Sequence, residues 1–183
     1  MFFGSKRKGQ AFDVFKLLIA AVVAGSILLI LLQVLGGIDF LNEKDPNKEA
    51  SNLVKNGVNY IASPQFAKDI RFKENMSMSA KTIASKSEGL SESQICVLVS
   101  DKVPNKTNFT INDAQKGKIV QYTGRMTQKT KLLGICDRGS ELEKTISEDL
   151  GFDDKYEFDL SDCAGDFESG SSMACVIVVI PDS

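Results

Sequence analysis

Four cysteines, Cys96, Cys136, Cys163 and Cys175, are the residues best equipped for chemistry here, and their spacing decides which chemistry. No two form the close pairs that zinc ribbons and dithiol redox sites require, so two disulfides are the simplest reading. Four cysteines permit three pairings. Cys163 and Cys175 flank a Gly/Ser-rich loop, which favours joining them and leaves Cys96 with Cys136. Buried free thiols in a reducing compartment are the alternative, because all four lie in or beside apolar runs.

Asn75-Met76-Ser77, Asn105-Lys106-Thr107 and Asn108-Phe109-Thr110 are N-glycosylation acceptor sequences in polar stretches that read as loops. Acids outnumber bases between Glu141 and Glu168, and Asp159, Asp162, Asp166 and Glu168 offer oxygen ligands. Their spacing matches no EF-hand loop, and a solvated acidic face is the better account. Histidine is absent, which removes the commonest general base and the commonest metal ligand. There is no phosphate-binding glycine loop, no GxSxG elbow and no HExxH helix. The chain is therefore read as no enzyme, with no metal and no cofactor.

These residues follow a segment of different character. From Leu17 to Leu35 the sequence carries no charge, and about 19 residues at ~1.5 Å per residue give roughly 28 Å, enough to cross a bilayer. Gln33 is its strongly polar side chain, whereas a buried helix of a soluble protein normally shows a polar face. Lys6, Arg7 and Lys8 precede the run, and Gly36, Gly37, Ile38 and Asp39 follow it, so the positive-inside rule puts the N-terminus in the cytoplasm and the remainder outside. A conventional secretory signal is disfavoured, since the apolar run is long and no small-residue cleavage site follows it. The whole chain has a formal net charge of −2, and its N-terminal basic residues leave the remainder more acidic still. Nucleic acid is not an expected partner.

The segment KRKGQAFDVFKLLIAAVVAG resembles the archaeal class III signal peptide of type IV pilin-like proteins, in which a basic stretch and Gly-Gln stand before the hydrophobic segment. Here those are Lys6 to Lys8, Gly9 and Gln10. The resemblance covers about 30 residues. It implies cleavage between Gly9 and Gln10 by a class III signal peptidase on the cytoplasmic side, with the helix retained as anchor and assembly element. The family often has Ser third and Glu fifth after the cut. This chain has Phe12 and Val14, with a carboxylate at Asp13. In the family such an acid compensates a neighbouring subunit's new amine. Pairing with Lys16 three residues on is the alternative for Asp13. Within the span, Ala20 with Ala24 and Ala21 with Gly25 are small residues four apart, a spacing that lets helices approach closely.

In the head, Asp45 and Pro46 read as N-cap and first position of a helix whose apolar face is Ala50, Leu53, Val54, Val58 and Ile61, stopped by Pro64. Gly36, Gly37 and Pro46 break the path from the span, favouring a bend or linker over one continuous spine. A strand is expected near Asp69 to Phe72, a short helix over Ser79 to Ser87, and a Ser91/Gln94 capping box before the strand ICVLVS. AKTIASKSEGLSESQI superficially matches a helix-turn-helix, but it lacks basic residues and runs straight into a strand. KIVQYTG and KTKLLGICD read as a hairpin. Ser140 and Glu143 open a helix carrying Leu142, Ile146 and Leu150 and closed by Gly151, and YEFDLS and MACVIVVIP read as strands. The similarity of ICVLVS to ACVIVVIP suits adjacent strands of one sheet.

The expected organisation is a leader over 1–9, a transmembrane or assembly helix over 10–38, a linker over 39–45 and an extracytoplasmic domain over 46–183. The expected fold class is α+β, with a mainly antiparallel sheet and two or three short helices. The expected role is that of a single-pass cell-membrane glycoprotein displayed at the surface. It would be a type IV pilin-like filament or surface-complex subunit, with membrane lipid, the peptidase and other subunits as partners. The alternative is an uncleaved single-pass protein with a ligand-binding or envelope-structural head.

Overall fold

The computed structural model describes residues 10–34, 44–87, 89–111, 116–163 and 171–182, with the backbone alone at 10–13 and 31–34. The chain divides into two units, Met1–Glu43 and Lys44–Ser183. Helix α1, Gln10–Val34, is the described element of the first. Among the described residues, no helix is both long and apolar enough to cross a membrane. The described side chains of α1 run from Val14 to Ile30, about 17 residues or roughly 25 Å, short of a ~30 Å hydrocarbon core.

The second unit is α+β, in three layers. Its central sheet has the order β1-β6-β7-β3, formed by β1 (Gln65–Phe72), β6 (Gln128–Arg138), β7 (Met173–Pro181) and β3 (Ile95–Val99). β1 with β6 and β6 with β7 are antiparallel, while β3 joins β7 in parallel, so the sheet is mixed. Every residue of β3, and 174–180 of β7, is buried, as continuous apolar runs require when both faces are covered. The expected adjacency of ICVLVS and ACVIVVIP is observed.

Alternation along these strands makes two cores. Ile95, Val97, Val99, Leu132, Cys136, Cys175, Ile177 and Val179 face one side; Cys96, Leu98, Leu133, Ile135, Ala174, Val176, Val178 and Ile180 face the other. The first core is closed by α2 (Pro46–Asn59), α3 (Ala80–Ser87) and a small antiparallel sheet of order β2-β5-β4. Its strands are β2 (Ser77–Ser79), β4 (Phe109–Thr110) and β5 (Ile119–Tyr122). KIVQYTG and KTKLLGICD therefore do not form the expected hairpin. β5 pairs with β2 and β4, and β6 with β1 and β7, because Tyr122 packs with Phe72 and Phe109 between the sheets.

The second core is closed by α4 (Gly139–Lys144), a π-helical turn over Thr145–Asp149, and α5 (Phe152–Tyr156). The helix expected from Ser140 to Leu150 thus exists in two pieces. Leu142 and Ile146 are buried as its period requires, and Gly151 follows with φ +57°. YEFDLS is not a strand. Phe152 and Tyr156, four apart, sit edge to face at 5.5 Å on α5, and Glu157 then turns the chain at φ 51°.

α2 begins where expected: the Asp45 carboxylate accepts the Asn47 N–H at 3.0 Å and Pro46 occupies the first turn. Its buried face carries Ala50, Leu53, Val54 and Gly57. Ile61 falls beyond the helix end and is exposed. The open edge of the sheet at β1 is interrupted by a bulge between Ala67 and Ile70, with Asp69 at φ 61°. At the other edge the Val97 N–H bonds to Gly117 O at 2.8 Å. Both features discourage strand addition.

Candidate functional site

α1 is the most distinctive surface of the chain. A run of Leu, Ile, Ala and Val has adequate helix propensity, and the Ser26 hydroxyl satisfies itself on Val22 O at 2.9 Å. Val14, Phe15, Leu17, Leu18, Ile19, Val22, Val23 and Ile27 through Ile30 are each 48–72% exposed, and they point in every direction around the axis. Ala20, Ala21, Ala24 and Gly25 are exposed between them, and nothing lies within 4 Å of the position a Gly25 Cβ would take. Gln10 opens the helix. Gly9 and the side chains of Gln10 and Asp13 lie outside the described residues, so the junction and the pairing of Asp13 are not placed.

All four cysteines are joined, but not as their sequence spacing suggests. The bonds are Cys96–Cys163 and Cys136–Cys175, with Cα atoms 5.6 and 4.1 Å apart. Cys136 and Cys175 oppose each other directly across β6 and β7 on the α2 side of the sheet. Cys96 and Cys163 lie on the other side. The expected partners Cys96 with Cys136, and Cys163 with Cys175, are separated by the sheet itself. A one-residue offset does this: Ile95, not Cys96, stands beside Cys175, so the two strand cysteines point to opposite faces.

The acidic region supplies a cleft of about 250 Å³ lined by Glu143, Ser147, Asp153, Phe158, Asp159, Leu160 and Ser161. Asp159 accepts the Ser161 N–H at 2.8 Å, and this bond with the Ser161 hydroxyl holds its carboxyl below the usual range. Asp162 pairs with Lys116 at 3.2 Å. A carboxylate held ionised is a poor general acid, and the other lining side chains are acids, serines and apolar groups. Among the described residues no group of acids, cysteines or histidines is placed to hold a metal. Asp166 and Glu168 lie outside them.

The three acceptor asparagines meet at one end of the small sheet. The Asn75 N–H bonds to Tyr122 O at 2.9 Å, and Asn108 O accepts from the Thr123 N–H at 2.8 Å and hydroxyl at 3.0 Å. Asn105 is one turn before Asn108, whose N–H it accepts at 2.9 Å. Asn75 and Asn105 are exposed and Asn108 is half-buried.

Some important residues carried no signal that the sequence reading used. Asp137 is buried and accepts the Thr145 hydroxyl at 2.6 Å, tying the π-turn to the end of β6. Gly57 lies where α2 touches the sheet, and a Cβ there would stand 2.5 Å from Cys136 Sγ. A glycine on the apolar face of a helix was the available clue to that close approach. In comparisons with known proteins, the chain matches no family model, no curated protein and no solved structure.

Proposed function

We propose that this chain is a type IV pilin-like, membrane-anchored cell-surface protein, a filament or surface-complex subunit whose role is structural or adhesive. The observation that carries the reading is the exposed apolar surface of α1. Each such side chain gains about 1.5–3 kcal/mol on leaving water, so the set from Val14 to Ile30 amounts to on the order of tens of kcal/mol. A helix apolar on all faces needs lipid or other helices around it. The described side chains alone fall short of a bilayer core. The uncharged sequence run from Leu17 to Leu35, roughly 28 Å as a helix, is of the length that a single span takes.

In this reading the N-terminus is cytoplasmic, a class III signal peptidase cuts between Gly9 and Gln10, and the head lies outside the cell. The small residues Ala20, Ala21, Ala24 and Gly25 let neighbouring copies pack helix against helix. Two buried disulfides support an oxidising location for the head.

N-terminal sequencing of the protein from its native membranes tests the route: a start at Gln10 is expected, and a start at Met1 or Phe2 defeats it. A separate observation favours the alternative of an uncleaved anchor with a stationary binding or envelope-structural head. α2 starts afresh at a capped Asp45-Pro46 and closes one face of the sheet by itself packing there. The double substitution Ala21→Leu with Gly25→Leu separates the two: assembly is lost if copies pack through α1 and unchanged if the helix is only a tether.

A further inference from the structure

The convergence of three acceptor sequences on the Tyr122–Gly124 end of the small sheet has a consequence that spacing alone does not carry. We propose that this pole bears N-linked glycan at Asn75 and Asn105, and that Asn108 is skipped. The inference rests on the extracytoplasmic placement of the head.

Asn75 and Asn105 stand in left-handed turns, with φ 65° and 56°, and both are exposed. Asparagine tolerates that conformation better than most residues, so the turns by themselves explain the two asparagines. They do not explain a hydroxyl residue two positions later in each case. Ser77 and Thr107 are both exposed, which leaves each acceptor amide and its hydroxyl accessible together.

Asn108 differs although its sequence is equally good. Its side chain is half-buried, its amide nitrogen would lie 2.9 Å from a Cβ built on Gly124, and its carbonyl takes both hydrogen bonds of Thr123. Phe109, the middle residue of the triplet, is buried among Phe72 and Tyr122. Presenting Asn108 to an enzyme requires pulling Phe109 from the core, against the apolar burial that holds it there.

The donor is a lipid-pyrophosphate-linked oligosaccharide. The Asn side-chain nitrogen forms a bond to the anomeric carbon, the bond from that carbon to the pyrophosphate oxygen breaks, the amide gives up one proton, and the lipid pyrophosphate leaves. Two glycans on one pole make that pole a hydrated surface, unsuited to tight protein packing.

Site-mapped mass spectrometry of the full chain from its native membranes, kept without reductant, tests this. The expected result is glycan mass at Asn75 and Asn105 and none at Asn108. Ser77→Ala and Thr107→Ala each lose one glycan, and Thr110→Ala loses none. These substitutions leave the asparagines and their turns in place. Absence of glycan at both sites with both disulfides formed overturns the inference and leaves the placement of the head standing. Absence of glycan with four free thiols overturns both. Occupancy of Asn108 equal to that of Asn105 overturns the selection by burial.

Discussion

Two side-chain environments in the head are sharp enough to predict the effect of a single atom or charge. Glycine inside a helix costs about 1 kcal/mol relative to alanine, so Gly57 is retained for space. Its missing Cβ would lie 2.5 Å from a sulfur that the Cys136–Cys175 bond prevents from moving. Gly57→Ala is expected to destabilise the head by about 1–3 kcal/mol in thermal unfolding despite its better helix propensity. Asn56→Ala, at an exposed neighbour, is expected to be neutral or slightly stabilising. At Asp45, partial burial pushes the carboxyl upward, but the Lys86 ammonium at 3.2 Å and the Asn47 and Lys48 amides outweigh it and hold the group below its usual range. The native state therefore favours the ionised form. That contribution is complete above about pH 4, the unfolded value, and is lost as pH falls through the lowered native value. Asp45→Asn keeps a good cap and removes the charge. Its melting temperature is expected to fall less steeply than the wild type's below pH 4, and parallel slopes would show that the ion pair contributes nothing.

Among the elements, β7 organises the rest: it pairs with β6 on one side and β3 on the other, and it sends alternate side chains into both cores. The two disulfides reinforce that arrangement, one on each face. Bridging residues 67 and 39 apart in sequence, each is worth about 4 kcal/mol by the loop-entropy relation. Peptide mapping under non-reducing conditions is expected to recover Cys96 with Cys163 and Cys136 with Cys175; recovery of Cys163 with Cys175 would contradict the sheet register. Replacing Cys136 and Cys175 together by Ala is expected to lower stability by several kcal/mol, read as a lower denaturant midpoint. The π-turn belongs to this scale too. Leu150 N–H reaches Thr145 O at 3.1 Å, and Asp137 holds Thr145 from the end of β6. Thr145→Val, which removes the hydroxyl and strands a buried carboxylate oxygen, is expected to cost about 1–3 kcal/mol, whereas exposed Ser140→Ala costs little.

At the scale of the whole molecule, the chain joins a helix that needs an apolar environment to a head with two closed cores of its own. A chain of residues 44–183 is expected to fold in plain buffer and remain monomeric, while the full chain requires detergent or lipid. Loss of cooperative unfolding in that fragment, monitored by calorimetry, would refute the independence of the head. What the sequence determined by itself was local. Asp45-Pro46 set the start of α2, continuous apolar runs marked β3 and β7, and the four-residue period of Leu142, Ile146 and Leu150 marked the helical segment after β6. These signals survive because capping, alternation and periodicity act between near neighbours. The tertiary structure alone decided the sulfur pairing, the division of β5 and β6 between two sheets, the helical state of Phe152–Tyr156, and which acceptor asparagines stand free. Each depends on contacts between residues far apart in sequence. A register offset of one residue between β3 and β7 put Cys96 and Cys175 on opposite faces, and Phe109 drew Asn108 toward the core. The apolar length of α1 was legible from the outset, and the described residues of the head expose no apolar surface on that scale.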